Sequence, residues 1–223
     1  MAGLLRCVKM EQSSTGLNHG NLERKRQTVF TTQDVLNAIQ NKHILLSKNI
    51  FPDTARWSDM LNLYDIAEKK TRYISFGAMS IDNSEKYIKS FDEIINVLSA
   101  VHPGKKIAAM SIVHFLSRHT NELEDPDGCA MRDQFFDKNP QKRPEKPIAF
   151  HEFVPTIHLD PVDGFYIQGD GSTLWRIYAD NDVIEEHTVE RGDVMFIPKD
   201  LVHSVESLCP RHAVSIAFQD KIN

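Results

Sequence analysis

Cysteine is scarce in this chain. Three occur in 223 residues, Cys7, Cys129 and Cys209. Thiols so few and so scattered make neither a disulfide framework nor a zinc finger, and they suit a reducing compartment. Long apolar runs are lacking too. No stretch approaches the roughly 18 residues of a membrane-spanning helix. The opening MAGLLRCVKMEQ has only a very short apolar stretch between charges, unlike the long core of a signal peptide. A cytoplasmic location without a membrane partner is therefore expected. Positive charge is not in excess: 26 Lys and Arg face 31 Asp and Glu, for a net charge of -5. That balance excludes a nucleic-acid binder acting through net charge, and no nucleic-acid partner is expected. No internal repeat or low-complexity segment is visible. What remains is an average globular composition, long enough for a sizeable core, with a surplus of histidine: ten in all. Histidine is the commonest metal ligand and acid–base group, so the question is which of the ten matter.

The chain divides by texture. Residues 1–29 are polar, lack periodicity and read as a flexible leader. Residues 30 to about 125 read as mostly helical with short strands. Thr31 or Thr32 can cap a helix through Val35, Leu36 and Ile39. HILLSKNIF (43–51), broken by Pro52, suggests a strand. Ser58 can cap a second helix carrying Met60, Leu61, Leu63, Tyr64 and Ile66, and TRYISFGAMSI (71–81) suggests one further strand. Phe91, Ile94, Ile95, Val97, Leu98 and Val101 fall at helical spacing before His102-Pro103-Gly104. IAAMSIVHFL (107–116) is apolar throughout, so periodicity does not choose between helix and strand. Residues 121–148, with Pro126, Pro140, Pro144 and Pro147, read as a long surface connection.

From 148 onward the pattern changes. Short apolar or alternating runs recur between turn residues: IAFHEFVPTIHLD, GFYIQG, TLWRIYA, VIEEHTV, DVMFIP, VHSVES and HAVSIAFQ. Asp170-Gly171 between two such runs is a hairpin signal, and Gly192-Asp193 marks another turn. Closely spaced strands with no room for helices predict an antiparallel barrel or jelly roll over residues 148–219.

Within that half, His158-Leu159-Asp160 sets two ligand-type side chains on one face of a strand, because strand side chains alternate with period two. His203 follows several strands later, and a barrel can bring it to the same interior. Two neutral imidazoles and one carboxylate are the facial set that holds Fe(II) with open positions for a co-substrate and O₂. An H-x-D pair alone is a weak signal, and its surroundings strengthen it.

The stretch HLDPVDGFYIQGDGSTLWRIY, then VERGDVMFIPKDLVHSVES and HAVSIAF, resembles the JmjC/cupin-like 2-oxoglutarate oxygenases, and most of all their ribosomal-oxygenase branch. The shared features are His158, Asp160, Gln168, Gly171, Trp175, Arg176, Gly192, Asp193, Pro198 and His203, all within about residues 148–219. The resemblance implies a double-stranded β-helix, with a helical lead-in at 30–147 and a single domain over 30–223. It implies Fe(II) held by His158, Asp160 and His203, with 2-oxoglutarate as co-substrate. The implied reaction is hydroxylation of a protein or peptide side chain, or of another organic substrate.

Two departures stand out. The family carries a Lys or Arg two residues before the Trp, where it binds the distal carboxylate of 2-oxoglutarate. Thr173 occupies that position here, and a hydroxyl offers one hydrogen bond where an ammonium or guanidinium offers a charge. The remaining co-substrate residues by strand parity are Tyr166 and Gln168, with Thr156 near a family threonine. Arg176 is expected to point outward beside Trp175. Second, the ribosomal oxygenases continue into dimerisation and winged-helix regions, whereas this chain runs only to Asn223. Their dimer and ribosomal-protein substrates are not carried over. Two other functions stay open: a metal-dependent cupin acting on a small molecule without 2-oxoglutarate, and a non-catalytic barrel binding module. Trp175 reads as a barrel-core aromatic and Gly192-Asp193 as a turn. His102, His114 and His119 read as ordinary, and His151, His187 and His212 as surface or satisfied histidines, with His151 placed where it could line the substrate mouth.

Overall fold

The computed structural model describes residues 29–61, 71–75, 78–82, 90–114, 137, 157–180 and 182–219. The expected leader up to residue 28, and the connection at 121–148 apart from Asp137, lie outside the described residues. So do Thr156, His119 and His151.

Local chemistry explains the helix starts. Helix α1 (Thr32–Asn41) begins with a reciprocal cap. The Thr31 hydroxyl accepts from the Asp34 N–H, and the Asp34 carboxylate accepts from the Thr31 N–H at 2.8 Å. Lys42 ends the helix in the left-handed region, φ 52°. Helix α2 (Trp57–Leu61) starts one residue earlier than the expected Ser58 cap. There the Asp59 carboxylate accepts from the Arg56 N–H, so Arg56 is the capping position and Ser58 sits inside the helix. Helix α3 (Asp92–Val101) matches its predicted spacing and buries Ile94 and Leu98.

The strands form two sheets. The larger holds seven described strands in the order β1 (Leu45–Ser47), β8 (Val194–Ile197), β5 (Gly164–Gln168), β10 (Arg211–Gln219), β4 (Lys106–His114), β3 (Ala78–Asp82) and β2 (Thr71–Ser75). The smaller has three, in the order β7 (Asp182–Val189), β6 (Thr173–Ala179) and β9 (His203–Ser207). The single strand expected over 71–81 is instead the antiparallel pair β2 and β3. The described part of the apolar run at 107–116, up to His114, lies in strand β4, paired along its length with β10. The lead-in therefore extends the barrel sheet as well as supplying helices, because β1 pairs with β8 and β4 with β10.

The six predicted runs after residue 160 all appear as β5 to β10. Their connectivity differs from the hairpin signal. Strands β5 and β6, on either side of Asp170-Gly171, lie in different sheets. The Asp170 carboxylate accepts from the Trp57 N–H at 2.8 Å, and its backbone N–H donates to the Ala55 carbonyl. These bonds tie the turn to the α2 entrance and carry the chain across the barrel. Gly171 sits at φ +85°, where a Cβ would lie 2.3 Å from the Pro210 carbonyl oxygen. The Gly192-Asp193 turn is as expected: the Asp193 carboxylate accepts from the backbone N–H groups of Glu190 and Asn49 and pairs with Lys48.

Alternation sorts the strands' two faces. On the large sheet, Phe165, Ile167, Val194, Phe196, Val214 and Ile216 pack with Val35, Ala38, Phe91, Ile94 and Leu98 of the helical side. The opposite faces of the two sheets meet through Tyr166, Trp175, Ile177, Val189, Met195, Ile197 and Ala213. That second cluster is the barrel interior, and it frames the site.

Candidate metal centre

His203 opens β9 and is 1% exposed. It exchanges both backbone hydrogen bonds with His158, at 2.8 and 2.9 Å, an isolated antiparallel bridge. Two residues further on, the Asp160 carbonyl accepts from the Asp200 N–H at 2.8 Å. His158 and Asp160 thus lie on a segment clipped to the 200–203 stretch, rather than on the continuous strand expected for them. One ligand atom from each of His158, Asp160 and His203 lies within 4.8 Å of the others. Among the described residues this is the one such His, Cys, Asp or Glu group.

The chemistry of these atoms suits a metal. The Leu201 carbonyl lies 2.8 Å from Nδ1 of His203, so Nδ1 carries the proton and Nε2 the lone pair. That Nε2 is buried without a hydrogen-bond partner and stands 3.8 Å from an Asp160 oxygen, too far for a hydrogen bond. A buried lone pair left unsatisfied is costly. Burial also holds the His203 pKa below its ordinary value, with His158 pushing the same way against the Leu201 carbonyl and Asp160. The imidazole is therefore neutral, the form a metal requires. The His203 ring is stacked on Trp175 at 5.2 Å, and Asp160 remains about half exposed. One side of the trio is sealed by the barrel and the other is open.

Behind it runs a polar chain whose donors are all determined. The Trp175 indole N–H donates to Oγ1 of Thr173 at 3.1 Å, and Thr173 donates to Oε1 of Gln168 at 3.3 Å. The Tyr166 hydroxyl donates to the same Oε1 at 2.6 Å and accepts from the Arg211 guanidinium. Burial raises the Tyr166 pKa, so the phenol keeps its proton. Tyr166, Gln168 and Thr173 are hydrogen-bonded together in the interior. The sequence reading began the last strand at His212 and passed over Arg211, which is 3% exposed. His114, read from the sequence as an ordinary histidine of the helical half, stands on strand β4 against Arg211 and Ser207. The available signal was parity: Arg211 is in phase with Ala213, a residue of the barrel interior.

Arg176 points outward as expected and pairs with Glu186 and Glu206. His102 pairs with Asp163, His187 with Glu185, and buried His212 with Ser111. No described helix is long and apolar enough to cross a membrane.

The fold and the site together define a jelly-roll barrel with a His-Asp-His group at its mouth that could hold a metal ion. No protein-family model matches the chain, and no curated protein matches it in sequence. Among solved structures, the ribosomal oxygenase YcfD from Escherichia coli is similar over 87% of this chain and 52% of its own, at 15% identity and a TM-score of 0.54. A second structure of YcfD gives 87% and 54% coverage, 14% identity and a TM-score of 0.51. The likeness establishes the fold, a double-stranded β-helix. The chain spans about half the length of those YcfD chains.

Proposed function

We propose that this chain is an Fe(II)- and 2-oxoglutarate-dependent oxygenase that hydroxylates a protein or peptide side chain. The observation that carries the reading is the buried, partnerless Nε2 of His203, gathered with His158 and Asp160. His158, Asp160 and His203 would hold Fe(II), which with O₂ and a 2-oxo acid supplies the oxidising power for C–H hydroxylation. The chain's own residues do the positioning. The Leu201 carbonyl fixes the His203 tautomer, and Trp175 excludes water from one face of its ring. Asp160 sits where a substrate can approach. Ile157 and Leu159 flank His158 and are 53% and 51% exposed, an apolar lip suited to a side chain presented from outside. YcfD, a ribosomal oxygenase with the same fold, supports a protein substrate.

One observation favours a second reading, a metal-dependent cupin that acts on a small molecule without 2-oxoglutarate. Thr173 carries no charge, and its hydroxyl proton is committed to Gln168.

The test is purified protein reconstituted with Fe(II), assayed for bound metal and for 2-oxoglutarate-dependent succinate formation, with Asp160→Ala as control. Metal with succinate formation supports the first reading. Metal without 2-oxoglutarate affinity selects the second. No metal after reconstitution overturns both and leaves a binding module.

A further inference from the structure

Arg211 is the one buried lysine or arginine among the residues whose burial is described. Its described partners are all neutral. Nε donates to Oγ of Ser207 at 2.8 Å, Nη1 to the Tyr166 hydroxyl, and Nη2 to Nε2 of His114 at 3.3 Å. A guanidinium only donates, so His114 Nε2 must be bare. Its proton is then on Nδ1, 2.8 Å from Ser207 Oγ. Burial, reinforced by Arg211, keeps the His114 pKa well below its ordinary value, consistent with a neutral ring. No described carboxylate reaches the guanidinium. Three of its five N–H groups are used, and one on each terminal nitrogen is left over. A buried charge with no counter-charge is expensive to keep. Two spare N–H groups on one planar fork are the donors that a carboxylate accepts as a pair.

Its place in the barrel is specific. Ser207, which holds Nε, is the cross-strand partner of Thr173. Tyr166, which holds Nη1, shares the Gln168 oxygen with Thr173. The guanidinium therefore reaches the neighbourhood of Thr173 from the last strand, where the resemblance called for a charge and Thr173 supplies none. We propose that Arg211 is the co-substrate anchor, binding the distal carboxylate of a dicarboxylic 2-oxo acid and selecting it over a monocarboxylic one. This rests on the oxygenase reading and deepens it: the missing charge is relocated from β6 to β10.

The experiment measures binding, not turnover. Calorimetric titration of the anaerobic Mn(II)-loaded protein compares 2-oxoglutarate with 2-oxobutanoate in wild type, Arg211→Gln and Arg211→Lys. Wild type should prefer the dicarboxylate by about tenfold or more, as a charge-assisted pair implies. Arg211→Gln should lose the preference with Mn(II) affinity unchanged, and Arg211→Lys should regain part of it. A folded Arg211→Gln that keeps the preference overturns the proposal. Arg211 also ties β10 to three other strands, so a second measurement needs no variant. In EDTA, glutarate should raise the wild-type melting temperature more than butyrate at equal ionic strength. The absence of that difference overturns the anchor. Its presence in a protein that takes no metal overturns the oxygenase reading and leaves the anion site.

Discussion

The imidazole of His203 lies stacked on the indole of Trp175, centroids 5.2 Å apart and planes 24° apart. The same indole donates to Thr173, which leads through Gln168 and Tyr166 to Arg211. A single path of side chains thus joins the His158, Asp160 and His203 group to the buried guanidinium. Trp175 serves both ends, packing on the ligand with its face and holding the polar chain with its N–H.

Trp175→Phe keeps a ring and loses the hydrogen bond to Thr173, so stability should fall by about 0.5–1.5 kcal/mol. Trp175→Ala removes the ring and should cost about 3–5 kcal/mol. Urea unfolding of the metal-free proteins checks both. Metal affinity should drop further in the alanine variant than in the phenylalanine one, because only the former frees the His203 ring. Equal losses of metal affinity would mean that the N–H, not the ring, orders the ligand.

Asp160 is half exposed, and among the described residues its carboxylate stands 3.8 Å from His203 without a hydrogen bond. Asp160→Ala should therefore fold as wild type does. Added Mn(II) or Co(II) should stabilise wild type by about 2.7 kcal/mol at a hundredfold excess over Kd, and the variant by almost nothing. Thermal melts with and without metal read this directly. A variant stabilised as much as wild type would remove Asp160 from the ligand set.

Two glycines with positive φ separate backbone strain from crowding. Gly104 has φ +79° and nothing within 4 Å of an added Cβ, whereas at Gly171 that Cβ meets Pro210 and Arg211. Gly104→Ala should cost about 1 kcal/mol for the backbone alone. Gly171→Ala should cost at least 1 kcal/mol more, and it should disturb the start of β10 and so weaken binding at Arg211. Denaturant midpoints decide, and equal costs would refute the crowding at Gly171.

His114 should make the fold sensitive to acid. Burial, with Arg211 beside it, holds its folded pKa well below the ordinary value. The unfolded chain takes up that proton near pH 6.5, while the folded chain resists. Stability contributed by the neutral ring is therefore complete above about pH 6.5 and is lost as the pH falls towards the folded pKa. His203 is shifted in the same direction and adds to the slope. Chemical denaturation in EDTA between pH 8 and 5 should show the decline, and His114→Gln should flatten it. An unchanged slope in the variant would assign the acid sensitivity elsewhere.

Much of the barrel was legible because its signals are local. Alternating runs bounded by turn residues marked β5 to β10, and Thr31 with Asp34 marked the start of α1. Period-two spacing and residue type singled out His158, Asp160 and His203. The run at 107–116 was illegible because its residue types do not alternate, although burial in β4 does: Ala109, Ser111 and Val113 are buried while Met110, Ile112 and His114 are only partly so. The hairpin signal at Asp170-Gly171 misled because turn chemistry reports that the chain bends, not which sheet it joins next.

By itself, then, the sequence determined a β-rich barrel and marked three candidate ligand side chains, since alternation, caps and turns depend on neighbours along the chain. Only the tertiary structure decided which strands share a sheet, that His158 and Asp160 are clipped to the 200–203 segment rather than lying on a strand, and that Arg211 confronts Tyr166 and the partner of Thr173. Those facts depend on register between strands far apart in sequence. Register is set by which faces can be buried together, and no local pattern carries it.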